Sequence, residues 1–265
     1  MKKIKLLVIL AVLGLYVTTI EGAFNQKNGV RSAGMGNAFT AVADDVTGMS
    51  WNPAGLARTT TEVSFSNADL MGLGLTYSLY AGAIDFKGNS FGVLCSEVKD
   101  TILPYKEQMV TVGVGKKIRE LGLGVSFDFY KLASYENAQG QGFNVGMLYE
   151  KKLGFGYLSL GGAMKNILNR LKYTTGTIES LKTKLVLGMA YVLPNESILA
   201  IDITDDELNL GYEYILSNNF SCRAGLNNGK FTSGFTVGMK GWYCDYAFLM
   251  RDLGNESRLS VGVKF

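Results

Sequence analysis

The last nine residues, Ser257 to Phe265, place Leu259, Val261, Val263 and Phe265 on one face of a strand and Arg258, Ser260, Gly262 and Lys264 on the other. Side chains alternate between the faces of a strand, so this segment fits a wall with hydrocarbon on one side and a polar interior on the other. A sheet in hydrocarbon has to close on itself, because an open edge would leave backbone groups without hydrogen-bond partners. The expected fold is all-β: a transmembrane antiparallel β-barrel.

The other end of the sequence agrees with export. Met1-Lys2-Lys3-Ile4-Lys5 is basic, and Leu6 to Val17 is a short apolar run, the pattern of a secretory signal peptide. Residues 1–23 are assigned to it, with cleavage near Gly22 or Ala23. No later stretch approaches the roughly 18 consecutive apolar residues that a membrane helix needs. Composition supports strands, with 33 glycines, 14 tyrosines and 14 phenylalanines beside 3 prolines. The remaining length, about 240 residues, fits one barrel in the bacterial outer membrane. Outer-membrane lipids are then the first expected partner. The closing strand also resembles the signal read by the barrel-insertion machinery, so Val261, Val263 and Phe265 are the candidate assembly signal. The net charge of +3 is spread along the chain without a basic cluster, so no nucleic-acid partner is expected.

The chain has no histidine, which removes the Ser-His and Asp-His arrangements of hydrolases and the commonest transition-metal ligand. The expectation is a protein that is not an enzyme and holds neither cofactor nor metal. Three cysteines, Cys95, Cys222 and Cys244, leave an odd thiol in any pairing. Cys222 shares a face with Phe220, Ala224 and Leu226, and Cys244 with Tyr246, Phe248 and Met250. Both read as lipid-facing thiols, with the strand Lys230–Lys240 between them, and a disulfide spans only a few ångströms.

Period-2 alternation marks about fourteen segments, from Glu62–Asp69 to Ser257–Phe265, each long enough for a tilted membrane strand. The longest connectors, Lys99–Lys106, Ala133–Gln141 and Ile167–Leu181, all follow odd-numbered strands. Those after even-numbered strands are short, as in Lys87-Gly88, Lys151-Lys152-Leu153 and Ser217-Asn218. With both chain ends in the periplasm, the long loops face outward. Asn228-Gly229 predicts a type I′ hairpin. Lys184, Asp202, Glu213, Arg223, Arg258 and Lys264 fall on the small-residue face, which identifies the lumen: each Lys or Arg turned to lipid would cost up to roughly 2–4 kcal/mol. That inner face is rich in glycine. Glycine there either admits another backbone or serves barrel curvature, and the pattern alone leaves both open.

Gly29 to Ala57 does not alternate. Met35, Phe39, Val42 and Val46 follow helical spacing, and Asn52-Pro53 reads as an N-cap followed by Pro at N1. Gly34-Met35-Gly36-Asn37-Ala38-Phe39 is only a broken dinucleotide fingerprint, with no preceding strand and no third glycine. Asp44-Asp45 reads as a solvated turn, and Trp51 and Trp242 fit interface or packing roles equally.

The run Arg31 to Asp45, followed by Trp51-Asn52-Pro53-Ala54-Gly55-Leu56-Ala57, resembles the N-terminal signature of the PorV/PorQ family, itself similar to FadL-like transporters of hydrophobic compounds. The segment from Phe220 to Phe265 is also similar to that family. The resemblance implies a fourteen-stranded barrel over residues 61–265, with residues 24–60 folded into the lumen as a hatch. Met35, Phe39, Val42, Trp51, Asn52, Pro53, Ala54 and Gly55 are the candidate hatch and ligand residues. In FadL-like proteins hydrophobic ligands pass through the interior and leave sideways through the wall. PorV-like relatives instead serve a secretion system that exports and attaches cargo. The expected function is thus hatch-gated passage of hydrophobic or small molecules, with a non-transporting scaffold for secretion-system components as the alternative.

Overall fold

The computed structural model describes Phe24, residues 28–204 and residues 207–265. The expected signal peptide lies outside the described residues. The strands are β1 (Glu62–Leu70), β2 (Leu75–Phe86), β3 (Asn89–Asp100), β4 (Lys106–Ile118), β5 (Leu121–Ala133), β6 (Ala138–Leu153), β7 (Gly156–Tyr173), β8 (Ile178–Glu179), β9 (Lys184–Val192), β10 (Ile198–Thr204), β11 (Leu208–Ser217), β12 (Phe220–Asn227), β13 (Lys230–Met239), β14 (Trp242–Leu249) and β15 (Glu256–Lys264). Successive strands pair antiparallel, β7 pairs with β9, and β15 returns to β1 with Val263 opposite Val63 and Val261 opposite Phe65. The result is a closed barrel of 14 strands, and the two-residue β8 is a ribbon on β7.

Alternation decides the facing. Val63, Phe65, Tyr80, Phe127, Phe129, Leu187, Met189 and Phe235 are exposed, whereas Glu62, Ser64, Ser126, Asp128, Asp202, Glu213, Arg223 and Arg258 are buried in the lumen. An apolar surface that runs around the whole wall marks contact with lipid. Leu259 and Val261 lie on that outer face, Val263 is half-buried, and Phe265, just past β15, donates its N–H to the Thr61 carbonyl at 2.9 Å. The cysteines are free thiols; Cys222 lies opposite Phe235 and Cys244 opposite Val237, so β13 separates them.

Most turns on the side of the chain ends have two residues, among them 87–88, 119–120, 154–155, 218–219 and 240–241. The longest connector, 174–183, lies at the opposite end, as do 71–74, 101–105 and 250–255. The long loops are thus on the expected side but shorter than the sequence pattern implies, because β3 and β7 run on to Asp100 and Tyr173 and β6 already begins at Ala138. Lys151–Leu153 likewise belongs to β6, and Gly154-Phe155 makes the turn. Asn228 and Gly229 take φ of 48° and 81°, as a type I′ turn requires.

β7 is irregular. Its register with β6 slips twice, between Gln141 and Phe143 and between Phe143 and Val145, and Asn166 and Leu168 take φ of 58° and 50°. Each slip is a bulge that re-aims a side chain. Asn166 and Asn169 both turn inward and are buried, while Leu168 is thrown outward. The Asn144 side chain accepts from the freed Asn166 N–H at 2.9 Å, and Asn169 donates to the Leu181 carbonyl at 2.7 Å. Between Lys165 and Leu171 the seam between β7 and the chain entering β9 is closed by the Asn166 and Asn169 side chains instead of a ladder, and β8 pairs with Leu171 and Lys172 beyond it.

Candidate functional site

The lumen is occupied by the chain's own residues 28–59. A five-residue helix α1 (Val30–Gly34) packs on β13 and β14, and two 3-10 turns follow at Val46–Ser50 and Pro53–Ala57. The helical spacing of Met35, Phe39, Val42 and Val46 does not become a helix. Gly36 and Asn37 take φ of 62° and 64°, which ends α1 and turns the chain. All four apolar residues are nevertheless buried.

The inner glycines explain how a second layer fits inside so narrow a bore. Gly92 on β3, Gly113 and Gly115 on β4, Gly124 on β5, Gly146 on β6, Gly161 on β7, Gly188 on β9, Gly211 on β11, Gly225 on β12 and Gly234 on β13 form a belt, and every one touches residues 34–57. A methyl at Gly211 would lie 2.5 Å from the Met35 carbonyl oxygen, and one at Gly161 2.5 Å from that of Thr40. At Gly124 and Gly146 it would overlap Pro53 and the Asn52 side chain. Of the two readings of these glycines, close approach of another backbone is the one the structure shows.

Wall side chains satisfy the backbone of this inner layer. Asp202 Oδ2 accepts from the N–H groups of Phe39 and Thr40 at 2.9 and 2.8 Å, and Thr232 Oγ1 accepts from Gly36 N–H at 2.9 Å. Glu62 accepts from Val46 N–H at 3.0 Å. Asn52 caps the second 3-10 turn by accepting from Ala54 N–H at 3.1 Å, and its amide donates to the carbonyls of Thr40 and Met147, both at 3.0 Å. Pro53, Ala54 and Gly55 are buried in that turn. Trp51 has a packing role: it is buried, donates from its indole to the Asn28 carbonyl at 2.7 Å and meets Phe39 edge-on. Trp242 is exposed on the outer face.

Charge concentrates on the chain-end side of the belt. Arg31 pairs with Asp44 and with Glu213 at 2.5 Å, and Glu213 also accepts from Arg223 at 2.7 Å. Burial opposes the Arg31 cation, but Asp44, Glu213 and Asp45 outweigh it and hold its pKa well above the ordinary value. Asp45 corrects the solvated-turn expectation: it is buried and caps the first 3-10 turn through the N–H groups of Thr47 and Gly48. The expected pattern could not show this, since its partners are fixed only once the turn has formed.

The belt divides the lumen into two chambers. Toward the long loops, a cavity of about 100 Å³ is lined by Asn37, Met49 and Trp51 from the inner layer and by Met109, Asn144, Lys184, Val186 and Asp202 from the wall. Toward the chain ends, an open vestibule of about 360 Å³ is lined by Arg31, Asp45, Glu62, Glu213, Arg223 and Lys264. Outside, an apolar groove of about 740 Å³ runs over Met189, Leu199, Leu210, Tyr212 and Leu226, where only Gly211 and Gly225 separate it from Met35 and Gly36. Candidates Met35, Phe39, Trp51, Asn52, Pro53, Ala54 and Gly55 thus all lie in the inner layer, as does Val42. Sequence reasoning passed over Asn37, Thr40, Arg31 and Arg58. Arg58 holds the layer by donating to the Ala41 and Val42 carbonyls at 3.0 and 2.9 Å.

No family model and no curated protein matches this chain. Solved structures do. The chain is similar to the CymD monoaromatic hydrocarbon channel with a TM-score of 0.63 and 13% identity, covering 89% of this chain and 97% of that one. It is similar to the toluene transporter TbuX of Ralstonia pickettii with a TM-score of 0.59 and 12% identity, over 91% and 100% of the two chains. For the toluene transporter TodX of Pseudomonas putida the TM-score is 0.56 at 12% identity, over 92% and 96%. The chain shares the barrel fold of these channels.

Proposed function

We propose that the protein is an outer-membrane channel for small hydrophobic molecules in which the inner layer, residues 28–59, acts as the hatch. The observation that carries the reading is the belt: wall glycines on nine of the fourteen strands, placed where a separate layer of chain is seated across the waist. A wall meant only to be plugged could fill its bore with large side chains. A layer held by hydrogen bonds, short turns and one ion-pair cluster can shift locally without unfolding any strand. Similarity in fold to channels for toluene and other monoaromatic hydrocarbons supports the substrate class. Passage would run from the upper cavity past Trp51 and Met35. The thin wall at Gly211 and Gly225, with the apolar groove outside it, suits a sideways exit. Uptake of a labelled monoaromatic tracer by cells with an intact lipopolysaccharide layer tests this. Cells making the protein should take it up faster than cells without it, and equal rates refute the passage function.

One observation favours docking as a second reading. Ile102, Leu103, Tyr135 and Ile178 are exposed in or beside the outer loops, where they meet neither the lipid belt nor the core. A scaffold for secretion-system components would use such a rim, and it would co-purify with them from intact membranes, whereas a transporter would come out alone.

A further inference from the structure

Asn37 follows Gly36 in the left-handed turn that ends α1, and its backbone N–H bonds the Ser32 carbonyl at 2.9 Å. Asparagine tolerates this conformation, so the backbone accounts for a short polar residue at this position. It does not account for where the side chain sits. Asn37 is 1% exposed, its amide nitrogen and oxygen both lack a hydrogen-bond partner among the described residues, and it lines the upper cavity. Buried amides are nearly always satisfied, because leaving one unpaired is costly. This one offers a donor and an acceptor side by side to whatever enters the cavity.

We propose that the Asn37 amide is the polar anchor of the upper cavity, and that the ligand is a small neutral molecule with one hydroxyl on an apolar body, of the phenol type. The inference rests on the passage function proposed above and narrows its substrate class. A hydroxyl donates to the amide oxygen and accepts from the amide nitrogen, whereas a plain hydrocarbon satisfies neither. Met49, Trp51, Met109 and Val186 supply the apolar surface for the body. The volume, about 100 Å³, is of the order of the roughly 150 Å³ cavity that accepts benzene, which limits the body to a single ring. Charge argues for neutrality. The lining carries Lys165 and Lys184 together with Asp128, Asp202 and Glu207; Asp128 already accepts from Thr111 and Asn144, and Asp202 from Phe39 and Thr40, so charges of both signs face the cavity and neither stands alone.

The test compares phenol and benzene binding to the full chain in detergent by ligand-observed NMR, with empty micelles as the reference for partitioning. The wild-type chain should prefer phenol over benzene by roughly five- to tenfold beyond the micelle ratio, the worth of a satisfied buried amide. Asn37→Gly keeps the positive φ and removes the amide, and it should bring the ratio down to that of micelles. A wild-type ratio equal to the micelle ratio means that only water satisfies the amide and overturns the inference. So does a variant that keeps the full preference. Should the variant fail to fold, judged by heat-dependent gel migration, the wild-type ratio alone decides. Cells that take up toluene while the purified chain shows no phenol preference would remove this inference and leave the passage function standing.

Discussion

Replacing Gly211 by alanine adds one methyl group at a place where the wall and the inner layer are in close contact. That methyl would sit 2.5 Å from the Met35 carbonyl oxygen and 3.1 Å from its Cβ. No rotamer relieves the clash, because the obstructing oxygen belongs to the main chain. The ladder itself is undisturbed: residue 211 pairs with Ala200 and Gly225, and alanine fits a strand. The strain therefore falls on the docking of the inner layer. Overpacking a tight site costs about 1–3 kcal/mol, and at about 2 kcal/mol the undocked fraction rises roughly thirtyfold. Planar-bilayer recordings should show opening events more frequent by a similar factor. Gly82→Ala is the control, since it lies on the outward face with its nearest neighbour 3.9 Å away, and it should record as wild type. If Gly211→Ala opens no more often than Gly82→Ala, the belt does not seat the hatch and the reasoning fails.

Asp202→Ala leaves the N–H groups of Phe39 and Thr40 without their acceptor. At about 1–3 kcal/mol for each buried donor, their amide exchange should speed up at least roughly tenfold, while strand amides of β5 keep their protection. Glu213→Ala strips the shared carboxylate from Arg31 and Arg223. Removing one partner of a buried ion cluster costs about 3–5 kcal/mol, so the refolded barrel should unfold at distinctly lower denaturant. Reducing agent should leave gel mobility unchanged, because Cys95, Cys222 and Cys244 are free and a whole strand separates the last two.

The wall was legible in the sequence because a strand repeats every two residues and a lipid-facing barrel repeats its demand on every strand. Leu121 to Tyr130 shows it plainly: five apolar residues outward, and Gly122, Gly124, Ser126, Asp128 and Tyr130 inward. Loop parity and the Asn228-Gly229 turn are equally local. The β7 bulges were hidden, because each adds one residue and shifts the inward positions to Ala163, Asn166, Asn169 and Leu171. That spacing of three, three and two was the available signal. The inner layer was legible in its caps and buried apolar residues but not in its path. Its turn at Gly36 lies against the wall backbone at Leu210 and Leu226, far along the chain, and its turn at Ala43 packs on Gly48 and Gly55 of the same layer. The Arg31–Glu213 pair joins residues 182 apart, which no local pattern can announce.

Single-channel conductance of the full chain against a deletion of residues 28–57 tests the account at its centre. With the layer in place the two chambers are separated, so the full chain should pass little current apart from brief events. Without it, a stable barrel with its inner glycines uncovered should give a persistent open level. Equal conductance in the two proteins would show that the bore is not closed by this segment, and the hatch would have to be abandoned.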